Sequence, residues 1–247
     1  MLNQESLSIS RGAEEMIQNS HKRLKKSSLY FKQSLKALCL LTLVFTPGCA
    51  SEEVQGEGEV KQEERTLENF QAIAVEHNYT LQIESGKPQK VTVEAPANLL
   101  GQIETSVQGG TLKITNAKGI HFRSSSPLKI SISVPVLNRL EASGASNLTL
   151  NGISGPAFSM QLDGGHQVRV RGGELEKLTI KAAGAANIET FMLRAQSVDL
   201  QVSGAAAVRV RAEKQLNVDA SGACKVEYTG NPQITQKLSG MSELHKL

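Results

Sequence analysis

QVSGAAAVRV, residues 201–210, alternates apolar and polar side chains on both sides of Gly204, and three alanines follow that glycine. Period-two alternation marks strands, whereas a glycine among small residues weakens one. The same arrangement recurs as LEASGASNLTL, MQLDGGHQVRV, IKAAGAANIET, LQVSGAAAVRV, VDASGACKVEY and QKLSGMSELHK, centred on Gly144, Gly164, Gly184, Gly204, Gly222 and Gly240. Those glycines are spaced by 20, 20, 20, 18 and 18 residues. A period of this length signals a solenoid, in which each unit buries its apolar face only by stacking on the next.

Aligned on the glycine, the positions two and four before it, and four and six after it, are nearly all apolar. Four after it stand Leu148, Val168, Ile188, Val208, Val226 and Leu244, and two before it Ala142, Leu162, Ala182, Val202, Ala220 and Leu238. The first column suits the inside of a coil, and the small-large alternation of the second lets neighbouring coils interdigitate. The central glycine supplies a tight corner, where positive φ is cheap and a Cβ would strike the coil above. Strand, corner and second strand then make part of one rung, with successive rungs paired in parallel about 4.8 Å apart. The expected fold is all-β: a single-stranded, right-handed parallel β-solenoid (β-helix-like), right-handed winding being the default.

The outward column five after the glycine reads Thr149, Arg169, Glu189, Arg209 and Glu227. Stacked in register, Arg169, Glu189, Arg209 and Glu227 alternate in sign up one face. A ligand-binding stripe is one reading; a ladder of surface ion pairs that fixes register, each worth about 0–1 kcal/mol, is the simpler one.

Residues 67–139 are less regular but hold strand-like runs at AIAVE, YTLQIE, KVTVEA, TLKIT and LKISISV. AIAVEHNYTLQI fits the repeat template, with His77 in place of the glycine. A degenerate first rung is expected at a solenoid end, which must be capped against edge pairing. A short helix in PANLLGQIETSVQGG would help to cover that end. The β-solenoid domain is therefore assigned to residues 67–247, with a less regular N-terminal capping part.

Ahead of it, Lys22, Arg23, Lys25, Lys26, Lys32 and Lys36 precede the apolar run ALCLLTLVF (37–45) and then TPGCA. Nine residues fall short of the roughly 20 that a membrane-spanning helix needs, so residues 1–48 read as a lipoprotein-type signal peptide rather than a permanent anchor. Gly48 before Cys49 resembles a bacterial lipobox. In that pattern the cysteine sulfur takes a diacylglycerol, although Thr46 and Pro47 depart from it. The alternative is an incidental cysteine in an uncleaved leader, and Met16 is an alternative initiator. Residues 49–66, acidic and poor in large apolar groups, are expected to form a flexible tether.

Residues 1–48 carry seven basic and three acidic side chains, leaving 20 basic against 21 acidic in the remainder. The formal charge of +3 therefore gives no argument for nucleic acid, which needs a clustered basic face. Of three cysteines, Cys39 leaves with the signal and Cys49 is acylated. Cys224 then has no disulfide partner and reads as a small apolar filler.

The lipobox cysteine, NFQAIAVEHNYTLQIESG, KVTVEAPANLLGQIETSVQGGTLKI and the repeated S-G-A/S motif together resemble the head-GIN domain family of auto-transporter adhesins, common in Bacteroidetes. The resemblance spans about residues 66–247. It implies a right-handed β-solenoid; with the leader and Cys49, the expected location is the cell envelope, lipid-anchored to the outer membrane. Glutamates just after Cys49 look like the acidic patch that sends some such lipoproteins to the cell surface. His77 at the first corner, and alanine-rich corners where relatives often carry S-G-S-G-D, depart from the pattern.

Chemistry is sparse. Parallel β-solenoid lyases and hydrolases gather carboxylates with Arg or Lys on one face, but Asp163, Asp199 and Asp219 fall in different columns and rungs. His77, His121, His166 and His245 lack metal-ligand spacing and read as surface or corner residues. GGHQVRVRGGE lacks the order of a phosphate-binding loop. The expectation is a non-catalytic surface binding, adhesion or scaffolding module without cofactor or metal. Its expected partners are the membrane, through the lipid anchor, and envelope glycans or surface proteins. The alternatives are a carbohydrate-active β-helix enzyme and a periplasmic envelope-maintenance protein.

Overall fold

The computed structural model describes residues 52–247; Cys49 and the expected signal peptide lie outside them. The described chain begins with β1 (Glu52–Gln55), β2 (Val60–Arg65), β3 (Ala72–Val75), β4 (Thr80–Ser85), β5 (Lys90–Pro96), the helix α1 (Ala97–Leu100), β6 (Ile103–Gln108), β7 (Thr111–Asn116), β8 (Ile120–Arg123) and β9 (Lys129–Val134). The repeats follow as β10 (Arg139–Gly144), β11 (Asn147–Asn151), β12 (Gly155–Arg171), β13 (Glu174–Gly204), β14 (Ala207–Gly222), β15 (Lys225–Thr229), β16 (Gln233–Gly240) and β17 (Glu243–Lys246).

From β10 onward all the pairing is parallel and rung sits on rung. Leu148 pairs with Val168, Val168 with Ile188, Ile188 with Val208, Val208 with Val226 and Val226 with Leu244. From Leu148 through Val226 this column is no more than 1% exposed, so it forms the spine of the core. Ala142, Leu162, Ala182, Val202 and Ala220 line the interior of the wall before the corner, all buried. The fold is the expected parallel β-solenoid. Its longest strands, β12 and β13, run round their corners at Gly164 and Gly184 without a break in pairing.

The corner glycines pair with one another, as Gly144 with Gly164 and Gly204 with Gly222. Gly204 has φ +99°, and a Cβ there would lie 2.5 Å from the carbonyl oxygen of Gly184 in the rung below. That oxygen already accepts the Ala205 N–H at 2.9 Å. Close backbone approach and positive φ together explain why this column holds glycine.

AIAVEHNYTLQI is the first rung. β3 pairs with β10 and β4 with β11, putting Val75 beside Ala142 and Leu81 beside Leu148. His77 takes the corner, the one non-glycine residue with positive φ among those described. Below this rung β7 and β9 still pair in parallel with β3 and β4, and only beyond them does the pairing turn antiparallel: β6 lies against β7 on one wall, and β5 lies between β9 and β2 on the other. α1 buries Leu99 and Leu100 at the same end. Antiparallel strands and a helix terminate the stack where an open parallel edge would recruit other chains.

The flexible tether expected over residues 49–66 is corrected for its described part. β1 pairs with β8 in a two-stranded ribbon, and β2 forms the antiparallel edge of β5. Composition misleads here because the strand borrows an edge that the core has already ordered, and ladder hydrogen bonds need no apolar side chains. The side chains then serve that edge: Lys90 Nζ lies 2.8 Å from Glu64 Oε2, Gln62 Nε2 donates to Glu94 Oε2 at 2.7 Å, and Arg65 donates to the Leu100 carbonyl at 2.9 Å.

Candidate functional site

The wall before the corner owes its outer shape to side-chain size. Next to the corner stand Asp163, Ala183, Ser203 and Ser221, and two residues earlier Gln161, Lys181, Gln201 and Asp219. Both columns point outward because the residues between them point in. The short column makes a floor and the long column a rail, leaving a trough of about 600 Å³ across four rungs. It is shallow, edged by polar side chains over partly apolar walls, and repeats along the axis, so it offers many weak contacts to an extended molecule rather than one enclosing pocket. Towards the first rung it continues into a space of about 200 Å³ reached by Glu76, Glu141 and Asp163. Beyond the corner, Ala185, Ala205 and Ala223 form a flat ledge beside the amides of Asn147, Gln167 and Asn187.

The acidic groups do not assemble a hydrolytic pair in the main trough. Asp163 and Asp219 share it with Lys181. They stand three rungs apart, about 14 Å at the spacing of parallel strands, whereas paired glycosidase carboxylates lie about 5–9.5 Å apart. In the smaller space Glu141 is ion-paired to Arg139. Asp199, on the same wall, is held by Lys177 at 2.7 Å and Asn217 at 2.7 Å, and the Lys177 hydrogen bond keeps its carboxyl below the usual range. Among the described residues no three His, Cys, Asp or Glu side chains converge as a metal site.

On the opposite side of the corner the charged column is continuous. Arg169 Nε lies 3.3 Å from Glu189 Oε2, Arg209 reaches Glu189 at 3.5 Å and Glu227 at 2.7 Å, and Lys225 also meets Glu227. Glu227 is 8% exposed. The hydrogen bond from Arg209, and then that from Lys225, pull its carboxyl down to about 2. Arg169, Glu189, Arg209 and Glu227 each have a partner in an adjacent rung, which leaves little to offer a ligand.

The histidines separate. His245 is exposed and bonds Glu243. His166, expected at a surface or corner, is buried at 3% two residues past its corner. There its Nδ1 accepts the Ser146 N–H at 3.3 Å and its Nε2 donates to the Asp163 carbonyl at 3.1 Å. His77 and His121, far apart in the chain, stand edge to face with ring centres 5.9 Å apart.

His166 belongs to an inward column that its mixed residue types concealed: Tyr79, Ser146, His166, Ala186, Ala206 and Cys224, all buried. Ser146 Oγ donates to the His77 carbonyl at 3.0 Å, and Tyr79 donates its phenolic proton to Asn116 Oδ1 at 2.5 Å. Burial pushes the Tyr79 phenol well above its ordinary range. Cys224 Sγ lies 3.3 Å from the Ser221 carbonyl, inside the corner.

A stacked parallel coil with shallow, polar-edged walls defines the molecule as a β-solenoid repeat protein. Residues 69–232 match the family described as "Putative auto-transporter adhesin, head GIN domain", and the chain belongs to that family. No curated protein matches it significantly. Among solved structures, a putative adhesin of Bacteroides fragilis superposes with TM-score 0.65 at 19% identity, covering 78% of this chain and 100% of its own. A putative adhesin of Parabacteroides distasonis gives TM-score 0.49 at 16% identity over 79% of this chain and 100% of its own. A putative lipid binding protein of the same species gives 0.46 at 18% identity over 79% and 100%. The likeness to the B. fragilis protein is one of fold.

Proposed function

We propose that the chain is a non-catalytic binding module of the cell envelope, held at the membrane by an acylated Cys49 and taking surface glycans or proteins along the trough beside its glycine corners. What carries the reading is the continuity of that trough over four rungs, with Gln161, Lys181, Gln201 and Asp219 along one edge and Asp163, Ala183, Ser203 and Ser221 as its floor. Amides, hydroxyls and isolated charges at the rung spacing suit a repeating polar ligand, and affinity then grows with the number of rungs engaged. Membership of an adhesin family agrees with a binding role at the surface. Among the described residues no helix is long and apolar enough to cross a membrane; the proposed anchor rests on Gly48 and Cys49 in TPGCA.

The test pairs intact-cell proteolysis with capture of envelope glycans and proteins by the purified chain. The expected result is surface cleavage, loss of fatty-acid labelling in Cys49→Ser, and capture that Ser203→Trp abolishes by filling the trough. Capture unaffected by Ser203→Trp overturns the trough as the ligand site, and labelling that survives Cys49→Ser overturns the anchor. The enzymatic alternative keeps one observation, the shared space reached by Glu76, Glu141 and Asp163. Polysaccharide cleavage lost in both Glu141→Gln and Asp163→Asn would replace the binding reading.

A further inference from the structure

His77 occupies the corner where six other rungs place glycine, at φ +71°. It carries a backbone strain there that glycine would not. Its ring meets that of His121, with planes at 89° and centres 5.9 Å apart. His121 is exposed on β8, in the ribbon with β1, and its register partner is Glu53, which is ion-paired to Arg123 at 2.9 Å. The other two described histidines spend their ring nitrogens on Ser146, Asp163 and Glu243. Neither ring nitrogen of His77 or His121 is hydrogen-bonded among the described residues. A strained imidazole and an exposed one thus face each other with their nitrogens uncommitted.

We infer that His77 and His121 form a binding site for a late first-row divalent cation, Zn²⁺, Ni²⁺ or Cu²⁺, each ring contributing one nitrogen. Imidazole suits these ions, whereas Mg²⁺ and Ca²⁺ take oxygen ligands. A metal about 2.0–2.1 Å from a ring nitrogen lies roughly 3 Å from the ring centre, so two rings sharing one ion have centres within about 6 Å. The observed 5.9 Å lies at the collinear end of that limit; a tetrahedral ion brings the centres to about 5 Å, so the rings close by about 1 Å on binding. The broad χ2 torsion of the exposed His121 lets its nitrogen turn towards the shared point. Among the described residues no third His, Cys, Asp or Glu converges on the pair, and water is proposed to complete the coordination. Bound there, the ion would cross-link the β1–β8 ribbon to the first rung, clamping the chain where it enters the solenoid.

Thermal melts of the full chain with ZnCl₂, NiCl₂ or MgCl₂ test this. Zinc or nickel at ten times its Kd is expected to raise the melting temperature by about 3–6 °C, and magnesium to leave it unchanged. His77→Gly is the decisive variant, because glycine fits the corner: it melts no lower than the parent without metal, yet loses the metal-induced rise, as does His121→Ala. Ni²⁺ broadens the ring-proton signals of His77 and His121 before those of His166 and His245. A rise of equal size in both variants, no rise in the parent chain, or broadening that begins elsewhere overturns the site.

Discussion

Adding one methyl group at Gly204 measures how far rung stacking governs the fold. The residue sits at φ +99°, and its new Cβ would lie 2.5 Å from the Gly184 carbonyl oxygen. Holding an L-residue in the left-handed region costs about 1–2 kcal/mol by itself. The contact costs more, because the opposing atom is backbone that already accepts the Ala205 N–H at 2.9 Å. Relieving it lengthens that bond, worth about 0.5–1.5 kcal/mol, and spreads the rungs locally, so Gly204→Ala is expected to lose about 3–5 kcal/mol in total. Gly86→Ala is the control: φ there is +86°, but nothing lies within 4 Å of an added Cβ. It should lose only the dihedral cost of about 1–2 kcal/mol. In urea melts the two variants should share one m-value and differ by about 2 kcal/mol, or about 4–8 °C in melting temperature for a domain of this size. Equal losses in the two variants would refute the claim that contact between coils is what keeps the column glycine.

Arg209→Glu replaces the central cation between Glu189 and Glu227 with a third carboxylate; the melting temperature should fall at low salt, and the gap from the parent should narrow as salt screens the repulsion. Glu227, pulled down to about 2 from an ordinary 4.5, should titrate near pH 2 by NMR, and Arg209→Gln should move that midpoint upward. A depressed carboxyl contributes stability that is full above the unfolded value and is lost as pH falls towards the folded one, so this part of acid unfolding should lie between about pH 4.5 and 2. His166→Ala removes the acceptor of the buried Ser146 N–H and should cost about 1–3 kcal/mol in urea melts, although the same column carries alanine at Ala186 and Ala206.

The walls were legible because their physics is periodic. Leu148, Val168, Ile188 and Val208 occupy one column in both sequence and space, since parallel pairing in register carries a sequence column directly into contact. Glycine spacing located the corners, and the degenerate rung at Ile73, Val75, Leu81 and Ile83 fitted with His77 as the substitute. The inward corner column was hidden by residue type: it keeps the phase of the inward columns, but its serine, histidine and alanines carry no apolar signal, so His166 reads as polar surface while lying in the core. β1 and β2 were hidden because their ordering comes from partner edges at β8 and β5, about which their own composition says nothing. The meeting of His77 and His121 likewise depends on a ribbon that only tertiary pairing creates.

The change of period from 20 to 18 residues shows where the fold tolerates variation. β13 and β14 pair without interruption from Ser197 and Gln215 to Gly204 and Gly222, but the register shifts between Glu189 and Ser197. In a wall, slipping one residue would send every inward side chain to solvent. On the return from one wall to the next the ladder is already interrupted and a two-residue change keeps parity, so two residues can come or go, and Phe191 and Met192 stand 45% and 58% exposed there. The outward rail of the trough has the opposite freedom: its length is fixed by the wall, yet its chemistry is not, because Glu141, Gln161, Lys181, Gln201 and Asp219 leave the interior untouched. Selection for stacking therefore writes the inward columns and the corners in plain periodicity. Selection for a ligand acts on positions where the fold accepts any polar side chain, so the sequence announces the scaffold more clearly than what the scaffold holds.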